Sequence, residues 1–162
     1  MGILVGGNTA ARTTSFSPDK IRGYRNFSNK IWNMARFMLI MEDHFEGEVS
    51  EFSEDLNLKE EDKEILKGLE ETIVKVNDSV EKYRFKDMGD EVYHFMWDEI
   101  ADKYIEHVKD REDKDVALSV LKHVFSESLK MLHPLMPFVT EEIWSKINDD
   151  SVQPLIIASW PK

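Results

Sequence analysis

From residue 18 onward the apolar positions of this chain recur every three or four residues, the spacing of helices that each bury one face. Ser17-Pro18-Asp19 opens the first helix: Ser as N-cap, Pro at the first helical position, Asp at the positive end of the dipole. The pattern holds to about Asp43, and Ile21, Tyr24, Phe27, Ser28, Ile31, Trp32, Met34, Ala35, Met38 and Leu39 share the side expected to face a core. An acidic, aperiodic stretch over 44–59 reads as a loop. Ile65, Leu69, Ile73, Val76, Val80 and Tyr83 carry a second helix, from about Lys59 to Tyr83. A third is expected to start near Asp87, with Asp90 as an acidic variant of the capping box. Its wide apolar face (Val92, Tyr93, Phe95, Met96, Trp97, Ile100, Tyr104, Val108) marks it as central. A fourth helix runs from about Asp113 to Leu132 and stops ahead of Pro134. Pro137 opens a short fifth, and the apolar tail Leu155–Trp160 is expected to pack as a strap. The fold class predicted is all-α: an antiparallel four-helix bundle with a short fifth helix and an extended C-terminal strap. Residues 1–17, rich in Gly, Thr and Ser, separate as a linker from the bundle at 18–162.

Composition narrows the chemistry. The 162 residues, 41% hydrophobic and 33% charged, suit one domain with one core. With no cysteine, the chain has no disulfide, no thiolate metal site and no cysteine nucleophile. No apolar run approaches a membrane span, and the N-terminus lacks the basic region and apolar stretch of a signal peptide. A cytoplasmic protein that works without a membrane, as a monomer, is the expectation.

Charge changes the picture more. The net charge of −11 argues against a protein that binds nucleic acid over its whole surface. Residues 1–41, however, hold six basic residues against the single acid Asp19, a net of +5, which leaves −16 for the remainder. The basic excess concentrates on the second face of the first helix, where Arg22, Arg25, Asn26, Asn29, Lys30, Asn33, Arg36 and Phe37 share one side. Asn is a poor interior helix former, and four cations without an acid among them forgo the usual i,i+4 pairing. A surface for single-stranded RNA accounts for both: Arg and Lys on phosphates, Asn amides on base edges, Arg36 and Phe37 for stacking. The bland account makes the same positions a solvated face whose arginines bridge to Glu on the second helix. The corner Tyr83-Arg84-Phe85-Lys86 has the same mixture, with Arg84 as a further RNA-binding candidate. Its bland account is a helix–helix turn whose aromatics close the bundle end.

Catalytic patterns are missing. The segment Gly2–Gly7 is no phosphate loop, because no Gly-Lys-Ser/Thr follows. Glu91-x-x-His94 is one Glu-x-x-His motif where a di-metal bundle needs two. His94/Asp98 and His123/Glu127 are local i,i+4 pairs. No catalytic residue, metal site or cofactor is assigned to this chain, which reads as a binding module.

Four segments carry a resemblance. Gly23-Tyr24-Arg25-Asn26-Phe27-Ser28-Asn29-Lys30-Ile31-Trp32-Asn33 with Ala35-Arg36-Phe37 resembles the first helix of the anticodon-binding domain of valyl-tRNA synthetase, a class I aminoacyl-tRNA synthetase. Tyr83-Arg84-Phe85 and Tyr93-His94-Phe95-Met96-Trp97-Asp98-Glu99, with Asp102 and Tyr104, continue it. The segment from Leu132 to Trp144 is similar to one shared by the valine, isoleucine and leucine enzymes, and Ser159-Trp160-Pro161 resembles the close of the domain. The similarity extends over about residues 15–161. The class I nucleotide-binding fold, with its His-x-Gly-His and Lys-Met-Ser-Lys-Ser signatures, has no counterpart, nor has the editing domain. Thr13 follows Arg12 where the family usually has an acid, which puts a role for Arg12 in doubt.

What the resemblance implies is the C-terminal piece of a valine–tRNA ligase (valyl-tRNA synthetase), its linker leading from a catalytic domain that this chain lacks. The partners implied are the anticodon stem-loop of valine tRNA and the catalytic domain of the parent, which would use ATP and Mg while this piece uses no cofactor. Carried over by position, Arg22, Arg25 and Lys30 would hold phosphates, Asn26, Asn29 and Asn33 base edges, and Arg36 and Phe37 a stacked base. Asn33 and Trp32 could equally lock the first helix to the third, and the His133–Phe138 segment has a mainly architectural reading. Two alternatives stay open: the anticodon domain of an isoleucine or leucine enzyme, and a helical protein-interaction bundle that no longer binds RNA.

Overall fold

The computed structural model describes the chain from residue 18 onward apart from residues 46, 48, 50, 54 and 149–151, with side chains from residue 22. The linker at 1–17, Arg12 and the Ser17 cap lie outside the described residues. Helix α1 spans Pro18–Asp43 and α2 Glu60–Glu81. The third rod is continuous but not uniform: α3 (Phe85–His94) passes into a π-helical segment, Phe95–Tyr104, and out through α4 (Ile105–Lys109). Helix α5 covers Lys114–Leu132 and α6 Pro137–Ile147. A 3-10 turn, Leu155–Ile157, interrupts the tail. Among the described residues all regular structure is helical, and no helix is long and apolar enough to cross a membrane.

Direction follows from contacts at the two ends of the bundle. Lys59, ahead of α2, pairs with Asp113, ahead of α5, at 2.8 Å, so these two helices start together. Gly89 of α3 faces Leu135, just beyond α5, so the third rod runs against both. One core joins the elements, centred on Ile31, Met38, Val76, Met96, Ile100, Leu121, Phe125 and Leu129. The third rod is central, as its wide apolar face requires. Gly68 lets it approach α2, since a Cβ there would lie 3.2 Å from the Phe95 ring.

The end where α2 begins is closed by buried charge. Asp62 is fully buried, accepts the Lys59 backbone N–H at 2.9 Å and the Tyr104 hydroxyl at 2.6 Å, and pairs with Arg111. Arg111 also grips Asp113 through Nε at 3.0 Å and Nη2 at 2.7 Å. Each charge thus meets an opposite charge or a donor, the condition for burying it. Burial, reinforced by Asp62, pushes the Tyr104 phenol well above its usual range. The Arg111 hydrogen bonds hold the Asp113 carboxyl far below the usual one.

Several sequence expectations are corrected. Tyr83 leaves the second helix: it is exposed, with φ 56, in the turn to α3. Helix α3 consequently starts at Phe85, and Asp90 pairs with Lys86 in place of a capping box. The corner aromatics do not close the bundle end, because Tyr83 and Phe85 both face solvent. Trp32 belongs to the edge of the core stripe, 39% exposed beside α6, with Lys146 Nζ 6.0 Å from its ring centre. In the tail only Leu155 and Pro161 are buried, while Ile156 and Ile157 face out. Glu141 accepts the Leu155 and Ile156 N–H groups at 2.9 and 3.2 Å, and Trp160 Nε1 donates to Asn77 at 2.7 Å. His133 and Pro137 hold the last turn: His133 Nδ1 lies 2.8 Å from Thr140 Oγ1, which donates to Met136 at 2.9 Å.

Candidate RNA-binding face

Helix α1 turns Phe27, Ile31, Met34, Ala35, Met38 and Met41 into the core. With 100° per residue, Arg25 and Arg36 stand about 20° apart around the opposite side and roughly 16 Å apart along it. Asn29 and Asn33 lie between them along the helix, Arg22 stands one turn before Arg25, and Asn26 flanks the strip. All six of these side chains are exposed. Phe37 is half-buried against the core margin.

Ion pairing separates these cations from the others. Every lysine and arginine from Lys59 to Lys146 except Lys114 lies within 4.0 Å of a carboxylate. Among the described residues no such partner stands by Arg25 or Arg36. The bridges to Glu on the second helix expected by the bland account do not form for them.

Lys30 behaves differently. Its Nζ donates to Asp102 of the π segment at 2.7 Å and lies 5.1 Å from the centre of the Trp97 ring. Phe27, one turn earlier, meets Tyr93 at 4.7 Å and Trp97 at 6.4 Å between ring centres. Phe27 and Lys30 therefore lock the first helix to the third rod, the task that Trp32 and Asn33 had been candidates for. Arg84 sits apart from the α1 strip, beyond the end of α2, where it reaches Asp78 at 2.5 Å and Asp87 at 3.7 Å.

The arrangement offers an anion two exposed guanidiniums along a strip of amides, neither with a carboxylate within 4.0 Å among the described residues. Guanidinium forks bind phosphate in two-point fashion, and Asn amides present both a donor and an acceptor. Two aromatics stand elsewhere than their spacing predicts. Trp32 lies one turn from Arg36 at the strip margin; its bulk and apolarity assigned it to the core. Tyr83 has the spacing from Val80 of a helix position and stands instead in the exposed turn after α2.

A sequence profile described as "Anticodon-binding domain of tRNA ligase" matches residues 62–162. That match begins within α2 and leaves α1 outside. A valine–tRNA ligase of Fervidobacterium nodosum is 42% identical over 142 residues, 86% of this chain and 16% of its own length. One of Staphylococcus saprophyticus is 39% identical over 166 aligned positions, 98% of this chain, α1 included, and 19% of its own length. The chain thus spans less than a fifth of the relatives it matches. Among solved structures, the LeuRS of Agrobacterium radiobacter K84, in a ternary complex with tRNA and LeuAMS, superimposes with a TM-score of 0.72. The superposition covers 99% of this chain and 18% of that one at 17% identity, a likeness of fold. With well over half of its residues inside the profile, this chain belongs to the family of anticodon-binding domains of tRNA ligases.

Proposed function

We propose that this chain is the anticodon-reading module of a valine–tRNA ligase, and that α1 supplies the reading face. Arg22, Arg25 and Arg36 hold phosphates of the anticodon loop. Asn26, Asn29 and Asn33 meet base edges, and Phe37 lies beside a stacked base. Lys30 reaches phosphate only by leaving Asp102, and Arg84 only by sharing its two aspartates, so both contribute less. The observation that carries the reading is the pair Arg25 and Arg36, exposed and without a carboxylate among the described residues in a chain holding 32 acids. The valine–tRNA ligase relatives support the choice of tRNA. Holding the loop orients the tRNA toward a catalytic domain of the parent enzyme.

The ATP and Mg that such a parent would use are assigned to that catalytic domain, and none is proposed for this chain. Its contribution is binding and discrimination.

Fluorescence anisotropy of a labelled valine-tRNA anticodon stem-loop, against an anticodon-swapped competitor at fixed salt, tests the reading. Arg25→Ala and Arg36→Ala are each expected to weaken binding about ten-fold, the worth of one charged hydrogen bond. Asn29→Ala is expected to reduce the preference for the valine anticodon. Equal affinity for both loops, or arginine variants indistinguishable from the parent chain, would refute it.

A further inference from the structure

Helix α2 ends in a backbone motif that suits glycine. The Tyr83 N–H donates to the Val80 carbonyl at 3.0 Å and the Arg84 N–H to the Ser79 carbonyl at 2.7 Å. These are the two bonds of a Schellman turn, whose central residue takes a left-handed conformation. Glycine adopts it without steric cost, whereas a side chain with a Cβ is strained there. The position holds Tyr83 at φ 56, the one non-Gly residue with positive φ among the described residues. The fold gains little from the ring in exchange. Tyr83 is 82% exposed, and its hydroxyl has no hydrogen bond among the described residues. Phe85 meets it near edge-on, at 6.4 Å between ring centres and 81°, and most of the Tyr83 ring stays in solvent. Strain of this kind concentrates where a side chain is needed for function.

The neighbouring charges indicate what the ring could meet. Lys82 and Arg84 reach Asp78, Arg84 also reaches Asp87, and Lys86 reaches Asp90. The corner therefore has no uncompensated cation to offer a phosphate. What it presents is flat aromatic surface, carried on a Cα–Cβ bond whose direction two backbone hydrogen bonds fix. Its Lys86 lies within electrostatic reach of Tyr24 in the first turns of α1, which puts the corner toward the N-terminal end of that helix.

We propose that Tyr83 is a stacking platform for one unpaired base of the RNA loop that α1 holds. The proposal rests on the RNA reading above and adds a site to it. Stacking is tolerant of base identity, since every base has a π face. Tyr83 thus adds affinity for an unpaired nucleotide, while identity is read on α1. Its contribution is also insensitive to salt, unlike that of Arg25 or Arg36.

The test uses the 162-residue chain and anticodon stem-loops carrying 2-aminopurine at one loop position at a time. Tyr83→Gly and Tyr83→Asn, which both tolerate the left-handed turn, should bind about ten-fold more weakly. Both should lose 2-aminopurine quenching at one loop position and keep the parent's salt slope. Their Tm should be unchanged or about 2–4 °C higher, as strain is relieved. Tyr83→Phe should bind within about two-fold of the parent. Arg25→Ala should behave oppositely, keeping the quenching and flattening the slope by about 0.7. Gly and Asn variants that bind like the parent would overturn the proposal. So would a Phe variant as weak as the Gly variant, or a Tm that falls in both Gly and Asn. If the parent chain binds no stem-loop at any salt, the RNA reading falls as well, a result distinct from a Tyr83 variant that binds normally.

Discussion

Arg111 and Arg36 are the same side chain under opposite conditions. Arg111 is buried, held by two aspartates, with Tyr104 sharing one of them. Arg36 stands in solvent with no carboxylate in reach among the described residues. Acid is not scarce in a chain of net charge −11, so the contrast is one of placement. A buried guanidinium must be compensated or the fold does not form. An exposed one needs no partner for stability, since surface pairs contribute about 1 kcal/mol at most. Leaving Arg25 and Arg36 unpaired therefore costs the fold almost nothing and keeps two cations available to an anion. The closed end of the bundle spends its charge on stability, and the charge of Arg25 and Arg36 stays open to an anion.

The largest effect should come from the closed end. Asp62→Ala removes the acceptor of Tyr104 and one of the two carboxylates on Arg111. Breaking such a buried pair costs about 3 kcal/mol, which corresponds to a Tm lower by about 6–12 °C for a chain of this size. Thermal melts followed by circular dichroism measure it, and below the transition RNA affinity should be unchanged. A melt within about 2 °C of the parent would show the cluster to be ornamental and the contrast mistaken. The double variant Arg25→Ala/Arg36→Ala is the mirror experiment. Its Tm should stay within about 1 °C, while the slope of log affinity against log salt flattens by about 1.4, two phosphates at single-strand density.

These two regions were not equally legible in the sequence. The α1 strip could be listed from spacing alone, because three Asn and several cations on one face conflict with helix propensity and pairing rules. The closed end could not. Asp62 reads as one of many acids at a helix start, and its burial depends on Tyr104 and Arg111 arriving from 42 and 49 residues away. The helices themselves were legible from their period, with one exception that left a trace. Val92, Met96, Ile100, Tyr104 and Val108 are four apart every time, and all are buried. In a regular α-helix each such step overshoots a turn by about 40°, so the fifth residue would point away from the core. A π segment holds more residues per turn and keeps the row on one side. Tyr83 hid for the opposite reason, since a strained backbone angle has no periodic signature.

His123 lies between the two extremes, half-buried on α5. Its ring stacks on Phe52 at 4.2 Å and 15°, and does so instead of engaging only Glu127, as the i,i+4 spacing suggested. Burial pushes its pKa down, against the pull of Glu127 and with the push of Lys130. The sign follows from linkage. Below the ordinary His range, about 6.5, the unfolded chain binds a proton that the folded chain refuses, so stability falls as pH falls into that window. Melts between pH 7 and about 5.5, above the carboxylate range, should show a decline in Tm that is shallower in His123→Phe. An identical pH dependence in the variant would mean that Phe52 stacks equally well on a charged ring. RNA binding should not depend on this substitution, because the His123 ring packs on Phe52 and lies outside the α1 strip.

The smallest effect tests the acidic remainder of the chain, −16 over residues 42–162. Exposed acids on α2 such as Glu64 and Glu70 have no ion pair among the described residues, so they contribute little to stability. They do set a repulsive background against which the α1 strip is the attractive exception. If that background helps to exclude wrong RNA, Glu64→Lys/Glu70→Lys should raise affinity for an anticodon-swapped stem-loop about three-fold at low salt, a few tenths of a kcal/mol per reversed charge at long range. The gain should fade at 0.1 M salt and above, where charges more than about 10 Å apart are screened. Affinity for the valine stem-loop should rise less if, as proposed, Arg25 and Arg36 already hold it. Equal gains for both loops would mean that the acids only solvate α2, and that discrimination rests on the α1 strip alone.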